Sequence, residues 1–286
     1  MPLDILKVLL LSVIEGVTEW LPVSSTGHMI LAEEFLSVGS MSVPFYNMFL
    51  YVIQLGAILA VLVLFWRRLY PFASPEPPAR RASLRLWGMV LIGVLPAAVI
   101  GLAFDGLLEE HVFVPGVRAY VVAGALVLYG ILFIVVERAS AGKTPTVDSV
   151  DGITPRHALL IGAFQVLSII PGTSRSGSTV LGARLLGVSR PAAAEFSFFM
   201  AIPIMAGVAL LKVLRFALGV RDGALGYELS PEPILLLAVG FVGAFLVSLV
   251  AIRFLMDFVR RHSFECFGWY RIALGALVLL YFLVIA

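Results

Sequence analysis

Apolar runs of about twenty residues, separated by shorter polar segments, dominate the chain. Six runs are long enough to cross a hydrocarbon core of about 30 Å as helices. These predicted spans lie at residues 45–66, 86–104, 117–136, 192–211, 234–252 and 267–286. Between them we expect loops that are basic and proline-rich at 67–85, acidic at 105–110 and polar at 219–233.

Two further apolar segments, at residues 5–14 and 158–170, are too short to span. About 12 residues make a helix of roughly 18–20 Å. Each leads into a polar stretch: residues 15–28 read EGVTEWLPVSSTGH, and residues 171–179 read PGTSRSGST. Proline-broken polar backbone is tolerated at membrane depth only where protein buries it or where it lines a wet cavity. We therefore predict two re-entrant helix-loop-helix hairpins, with the first returning over 26–36 and the second occupying 156–187.

One hairpin followed by three spans occurs twice, as a first repeat at 1–138 and a second at 156–286, joined by a polar linker at 139–155. Because three is an odd number of spans, the second repeat must enter the membrane from the opposite side. The predicted fold is therefore a single all-α integral membrane domain with six transmembrane helices, two re-entrant hairpins and inverted-topology repeats. Interrupted helices at corresponding positions of two repeats indicate a binding site near the membrane midplane.

Composition and charge agree with a multi-pass membrane protein. Of the 286 residues, 60% are hydrophobic and only 13% are charged. A formal charge of +2 is too small to indicate a nucleic-acid partner. The only cysteine, Cys266, excludes an internal disulfide.

The basic residues are distributed unequally between the two sides of the predicted topology. Twelve fall on one side: Arg67, Arg68, Arg80, Arg81, Arg85, Arg138, Lys143, Arg156, Arg190, Arg253, Arg260 and Arg261. Five fall on the other: Lys7, Arg118, Lys212, Arg215 and Arg221. Cytoplasmic loops carry the excess of Lys and Arg, so this count predicts an N-terminus on the outer side.

Glu15 and Glu19 are four residues apart, so on a helix they share one face. Two adjacent carboxylates in apolar surroundings cannot both stay ionised without positive charge between them. Either a divalent cation binds there or the pair shares a proton. Oxygen ligands without a thiolate partner favour Mg²⁺ or Ca²⁺. The structural alternative is a polar helix end at the membrane interface.

The hydroxyl residues Ser24, Ser25 and Thr26 follow Pro22, which ends the first short helix. At the start of the returning helix, hydroxyls and free backbone N–H groups favour phosphate binding. Plain N-capping is the alternative, because serine and threonine are common caps. His28 lies within one turn, where it is a candidate general acid or base, a candidate nucleophile, or a buried structural histidine.

Arg175 is the strongest single candidate in the second polar stretch. An arginine deep in apolar sequence needs an anionic partner, and a guanidinium matches phosphate oxygens in a bidentate way. Three neighbouring hydroxyl residues would complete an anion cradle: Ser174, Ser176 and Thr179. The alternative is a structural ion pair of Arg175 with Glu15 or Glu19.

Carboxylates, hydroxyls, a histidine and an arginine are together the components of a phosphoryl-transfer site. A transporter or lipid flippase is the rival interpretation, because transporters also use inverted repeats with broken helices. A purely structural membrane subunit would leave Arg175 and the two glutamates unexplained. Five lesser polar candidates are not expected to be catalytic. Gln54 and Gln165 are expected to form hydrogen bonds to loop backbone, and Glu195 is expected to form an interfacial ion pair near Arg190. Arg184 and Arg271 are the other two.

The motifs resemble those of the undecaprenyl-diphosphate phosphatase family, also called bacitracin-resistance proteins. The resemblance rests on Glu15 and Glu19, PVSSTGH at 22–28, IQLG at 53–56 and PGTSRSGST at 171–179, in order over nearly the whole chain. It implies removal of one phosphate from a C55 polyprenyl diphosphate, which recycles this carrier for cell-wall synthesis. It also implies a divalent cation and an active site facing outward from the bacterial cytoplasmic membrane.

Carried over by position, the resemblance adds roles to the candidates derived above. The predicted site comprises catalytic Glu19, Ser25, His28 and Arg175, phosphate-binding Ser24, Thr26, Ser174, Arg175, Ser176 and Thr179, and metal-binding Glu15 and Glu19. Whether Ser25, His28 or water attacks phosphorus stays open. The expected partners are the polyprenyl diphosphate and membrane lipid, without nucleic acid, and a homodimer is left open.

Overall fold

The computed structural model describes residues 2–111, 117–223 and 230–284, with side chains omitted at 102 and 104–111. Regular structure in these ranges consists of helices. They are α1 Pro2–Thr18, α2 Ser25–Phe35, α3 Val43–Leu64, α4 Trp66–Leu69, α5 Pro77–His111, α6 Arg118–Ala139, α7 Pro155–Val166, α8 Arg175–Leu185, α9 Arg190–Arg221, α10 Pro231–Arg261 and α11 Glu265–Val284. Short 3₁₀ turns occur at Val150–Gly152 and Leu167–Ile169.

Within the part of the chain that the structure describes, six helices have the length and apolar composition to cross a membrane. The candidate spans are Val43–Leu64, Pro77–Gly101, Arg118–Ala139, Arg190–Arg221, Pro231–Arg261 and Glu265–Val284. Each contains one of the six spans predicted from the hydrophobic pattern or most of it. The prediction of a multi-pass all-helical membrane protein is therefore confirmed.

The helices run past several of the predicted span ends. Residues 67–85 were expected to be irregular, but α4 occupies part of this segment and α5 begins at Pro77. Proline is tolerated in the first helical turn, where its missing N–H would have no acceptor. The predicted acidic loop at 105–110 is helical, since α5 continues to His111. Apolar runs mark the hydrocarbon thickness, whereas a helix can continue with polar residues into the headgroup region.

The polar loop predicted at 219–233 is shorter than expected. Helix α9 continues to Arg221 and α10 begins at Pro231. The central part of that prediction, 224–229, lies outside the described residues.

The two short helix pairs, α1–α2 and α7–α8, are inserted between long helices through close glycine contacts. A Cβ at Gly16 of α1 would lie 2.8 Å from the Val247 side chain of α10. On α7, a Cβ at Gly162 would collide with the backbone oxygen of Gly93 in α5. Small residues let helix backbones approach closely in membranes. Both short helices therefore pack directly on a candidate span.

A serine with a left-handed backbone conformation immediately precedes each of the helices α2 and α8. Ser24 has φ 74° and Ser174 has φ 71°, and among the described residues no others except glycines have positive φ. Each side chain accepts a hydrogen bond from the N–H of a glycine three residues later, Gly27 and Gly177 respectively. A left-handed non-glycine residue costs of order 1–3 kcal/mol and persists only when its surroundings hold it. The two loops are thus constrained alike.

Candidate functional site

The two polar loops that precede α2 and α8 are in direct contact. Arg175 Nη2 lies 3.1 Å from Glu19 Oε1, and the side chains are 10% and 9% exposed. Ser176 Oγ donates to the backbone oxygen of Glu19 at 3.1 Å. The structural alternative raised from the sequence, an ion pair between Arg175 and Glu19, is therefore confirmed.

Both carboxylate oxygens of Glu19 are engaged. The Ser25 hydroxyl donates to Oε2 at 2.9 Å, while Arg175 holds Oε1. The other terminal nitrogen of Arg175 donates to the backbone oxygen of Ser197 at 2.8 Å. Its guanidinium also lies 5.9 Å from the centroid of the Trp20 ring. The result is a fixed array in which one carboxylate joins a hydroxyl to a guanidinium.

Glu15 lies one helical turn before this array and is 2% exposed. Its Oε1 has no hydrogen-bond partner within the described part of the chain. Burial raises the pKa of the Glu15 carboxyl, and the nearby Glu19 carboxylate raises it further, while Arg175 acts in the opposite direction. Glu15 is thus a buried acid with an unused oxygen.

A cavity of about 1030 Å³ opens beside the first loop. Its polar lining includes Glu15, Ser25, Thr26, Asn47, Gln54, Arg118, Lys212 and Arg215, and its apolar lining includes Met29, Met41, Met48, Val208 and Phe216. Ser25 lines this cavity, and its hydroxyl contacts the Glu19 carboxylate. Polar groups at one wall and methionine-rich surface at another suit an amphiphilic ligand.

His28 faces α11 and is not among the residues that line the cavity. Its Nδ1 lies 2.7 Å from the Ser24 backbone oxygen, and its Nε2 lies 2.6 Å from the Tyr270 hydroxyl. Burial lowers the pKa of the His28 imidazole. The catalytic assignment of His28 stays a prediction, and its contacts place it against the backbone of the first loop.

The predicted phosphate-binding hydroxyls occupy different environments. Ser24 and Ser174 cap their helices, and Thr26 lines the cavity. Ser176 bonds to the first loop, as described above. Thr179 is fully buried, and its hydroxyl lies 2.7 Å from that of Ser197. Thr179 therefore contacts the residue whose carbonyl holds Arg175.

Arg271 of α11 connects the two loops, a role that the sequence analysis did not assign. The residue is 0% exposed. Its Nη1 donates to Pro22 O at 3.2 Å, and its Nη2 donates to Gly172 O and Thr173 O, both at 2.9 Å. An arginine inside an apolar span was the available signal.

Glu195 forms an ion pair, as expected for its position near Arg190, and its partner is Arg68 at 3.1 Å. Arg190 itself lies five residues earlier, and residues five apart on a helix do not share a face. Arg190 instead contacts Glu137 at 2.6 Å, as does Arg184 at 2.7 Å. Arg68 and Glu195 line a second cavity of about 520 Å³.

Gln165 does not make the bond to loop backbone expected from the sequence. Its side chain is buried, and neither amide atom has a hydrogen-bond partner among the described residues.

The fold and site define a class: a multi-pass helical membrane protein with a buried acid, hydroxyl and guanidinium array where two interrupted helices meet. The chain matches the family described as Bacitracin resistance protein BacA over residues 8–277, and it belongs to that family. Similar proteins named undecaprenyl-diphosphatase occur in Enterococcus faecalis, with 47% identity over 97% of both chains, and in Streptococcus mutans, with 49% identity over 97% of this chain and 96% of the relative. One in Lacticaseibacillus paracasei is 48% identical over 97% of this chain and 98% of the relative.

The contacts of Arg271 predict that Arg271→Met destabilises the fold. Methionine fills similar space, but three loop carbonyls lose a donor, and each unsatisfied buried group costs about 1–3 kcal/mol. We expect a clearly lower Tm in detergent, measured by intrinsic fluorescence. Arg138→Met is the matched control, because it removes an exposed arginine from an ion pair with Glu265. An unchanged Tm for Arg271→Met would contradict the proposed connection between the loops.

Proposed function

We propose that this protein is a membrane phosphatase that hydrolyses undecaprenyl diphosphate to undecaprenyl phosphate and inorganic phosphate. The activity recycles the lipid carrier for cell-wall synthesis and underlies bacitracin resistance. Membership of the BacA family and the names of the relatives support this assignment. The observation that carries it is the Ser25 hydroxyl, which lies on the cavity wall and donates to a carboxylate that Arg175 holds in place.

Ser25 is the attacking group in this proposal. Its hydroxyl already contacts an acceptor for its proton, which is the usual arrangement of an activated nucleophile and its base. The ring of His28 instead has both nitrogens occupied by Ser24 and Tyr270. This geometry favours Ser25 over His28 among the alternatives left open by the sequence.

The reaction then has two balanced steps. In the first, Ser25 Oγ bonds to the terminal phosphorus, and its proton passes to Glu19. The bridging oxygen leaves with the lipid monophosphate, which takes that proton. In the second, a water oxygen bonds to the same phosphorus, and Glu19 accepts a proton from the water and returns it to the departing Ser25 oxygen. Arg175 neutralises phosphate charge in both steps.

A divalent cation, Mg²⁺ or Ca²⁺, is part of the proposal. The residues present fit a cation that has only two protein ligands. The described residues contain no group of three acidic, histidine or cysteine side chains that could hold a metal. Mg²⁺, however, is often bound by one or two carboxylates together with substrate phosphates and water. The unpartnered oxygen of Glu15 and the carboxylate of Glu19 would be the protein ligands. When bound, the cation would offset the charge of the diphosphate.

Re-entrant hairpins and an inverted repeat are the proposed membrane arrangement. Support comes from the similar loops, since Ser24 and Ser174 both cap a return helix in a left-handed conformation. It also comes from the packing, since α1 contacts α10 of the second repeat and α7 contacts α5 of the first.

One chain contains all the residues of the proposed site, so the reaction does not require a homodimer.

We further propose that the protein lies in the bacterial cytoplasmic membrane with the site facing outward. The excess of basic residues on the predicted inner side supports this orientation.

Replacement of the proposed nucleophile should abolish turnover. With purified protein and a C55 or C15 prenyl diphosphate, we expect Ser25→Ala to lower kcat by about 10³-fold or more, because removing a nucleophile disables the chemical step. Acid quenching with labelled terminal phosphate should trap phosphoserine in the natural protein. Ser140→Ala, at the end of α6, is the control and should keep full activity. Full activity of Ser25→Ala would refute the proposed attack, and lipid translocation without phosphate release would favour the transporter.

Removal of divalent cations should stop the reaction. We expect a chelator to abolish phosphate release and added Mg²⁺ or Ca²⁺ to restore it. Glu15→Gln should raise the Mg²⁺ concentration for half-maximal rate at least about tenfold, since even changes outside the ligands typically cost 10–100-fold. The rise in Tm with added Mg²⁺ should weaken in parallel. Hydrolysis that survives complete chelation would refute the role assigned to Glu15 and Glu19.

Cysteine labelling tests the orientation. In a Cys266→Ser background, a membrane-impermeant maleimide should label Gly39→Cys, before α3, in intact cells. Lys143→Cys, after α6, should react only after permeabilisation. Both positions are exposed, so accessibility reports the side of the membrane. The opposite pattern would place the site on the cytoplasmic side.

A further inference from the structure

Tyr270 of α11 contacts His28 in two ways. Its hydroxyl lies 2.6 Å from His28 Nε2, and the two rings are nearly parallel, with 5.6 Å between centroids and 9° between planes. We propose that Tyr270 is a positioning residue for the phosphatase reaction, acting through His28 on the loop that carries Ser25. This inference rests on the function proposed above.

The hydrogen bonds of His28 determine which ring nitrogen carries the proton. The Ser24 carbonyl can only accept, so Nδ1, at 2.7 Å, must be the donor. In the neutral ring Nε2 is then an acceptor, and the Tyr270 hydroxyl donates to it. Tyr270 therefore selects the tautomer in which Nδ1 is available to hold the Ser24 carbonyl.

The carbonyl that His28 holds belongs to a strained residue. Ser24 has φ 74° and immediately precedes Ser25. The backbone N–H of His28 also contacts this carbonyl, but at 3.4 Å, which is a long hydrogen bond. The shorter bond from the ring therefore makes a large contribution to fixing the turn, and the turn sets the direction of the Ser25 hydroxyl toward Glu19.

In the second loop the position that corresponds to His28 is Ser178, and its backbone makes the corresponding bond. The equivalent carbonyl, that of Ser174, accepts the N–H of Ser178 at 2.9 Å, a normal helical bond. The Ser178 hydroxyl donates instead to the backbone oxygen of Arg175. The histidine and tyrosine pair thus lies on the loop whose hydroxyl reaches the cavity, as a positioning role for Ser25 requires.

Tyr270→Phe tests this proposal because it removes the hydroxyl and keeps the ring. Losing one hydrogen bond of about 1 kcal/mol should lower kcat about five- to tenfold. We expect KM for the prenyl diphosphate and the Tm to stay unchanged. Tyr120→Phe is the matched control, since Tyr120 of α6 is 46% exposed and Tyr270 is 48% exposed. This control should behave as the natural protein.

A spectroscopic measurement separates this inference from the proposed function. In protein labelled with ¹⁵N-histidine, His28 should show a protonated Nδ1 and a hydrogen-bonded, unprotonated Nε2, with the Nε2 signal shifting in Tyr270→Phe. This readout needs no substrate. In a His28→Ala background, Tyr270→Phe should have no further effect on kcat, because the tyrosine acts through the histidine.

Unchanged kcat and unchanged histidine signals in Tyr270→Phe would overturn the inference. A kcat loss that persists undiminished in the His28→Ala background would also overturn it, as would a loss matched by a lower Tm. If the natural protein released no phosphate while the histidine signals changed as expected, the phosphatase proposal would fail and the contact would stand without its catalytic role.

Discussion

The ion pair between Glu19 and Arg175 is the interaction on which the site depends, because it joins a carboxylate of one interrupted helix to a guanidinium of the other. Both side chains are nearly buried, so each has lost most of its hydration. The attraction within such a pair often only offsets this desolvation cost, whereas removing one partner leaves an expensive unpaired charge. A buried pair is therefore weak evidence for stability. Its position between two loops, with a hydroxyl on the remaining carboxylate oxygen, is better explained by function.

Two non-helical loops can lie inside a helical bundle only if their backbone groups find partners. Arg271 supplies donors to carbonyls of both loops, and the capping serines accept the N–H groups at the start of each return helix. Helix α11 is thus as much a part of the site as the loops. An arginine suits this task, because its planar group presents five donors that one lysine could not replace.

The hydrophobic pattern predicted the six spans because the hydrocarbon thickness sets a minimum helix length. The two polar stretches identified the loops because polar groups at membrane depth are costly and usually have a function. Pattern alone could not place the helix ends of α5, α9 and α10, which continue into polar sequence. It could not show that Arg271 reaches Pro22, 249 residues away in the chain. Nor could the pattern show that His28 faces α11, because the sequence of a short helix does not fix how that helix is rotated about its axis relative to its neighbours. Composition and spacing therefore identify the candidate residues of the site, whereas the packing of the helices determines which partners each side chain contacts.

The same contacts bear on how the proposed substrate would enter the site. A diphosphate in the cavity would compete with Glu19 for the Arg175 guanidinium, whose geometry suits phosphate oxygens at least as well as a carboxylate. One terminal nitrogen of Arg175 donates to Glu19 and the other to the Ser197 carbonyl. The bond to Ser197 can therefore keep the arginine at the junction of the two loops while its other donors turn to the phosphate, so the proposed exchange is a change of partner at one side chain.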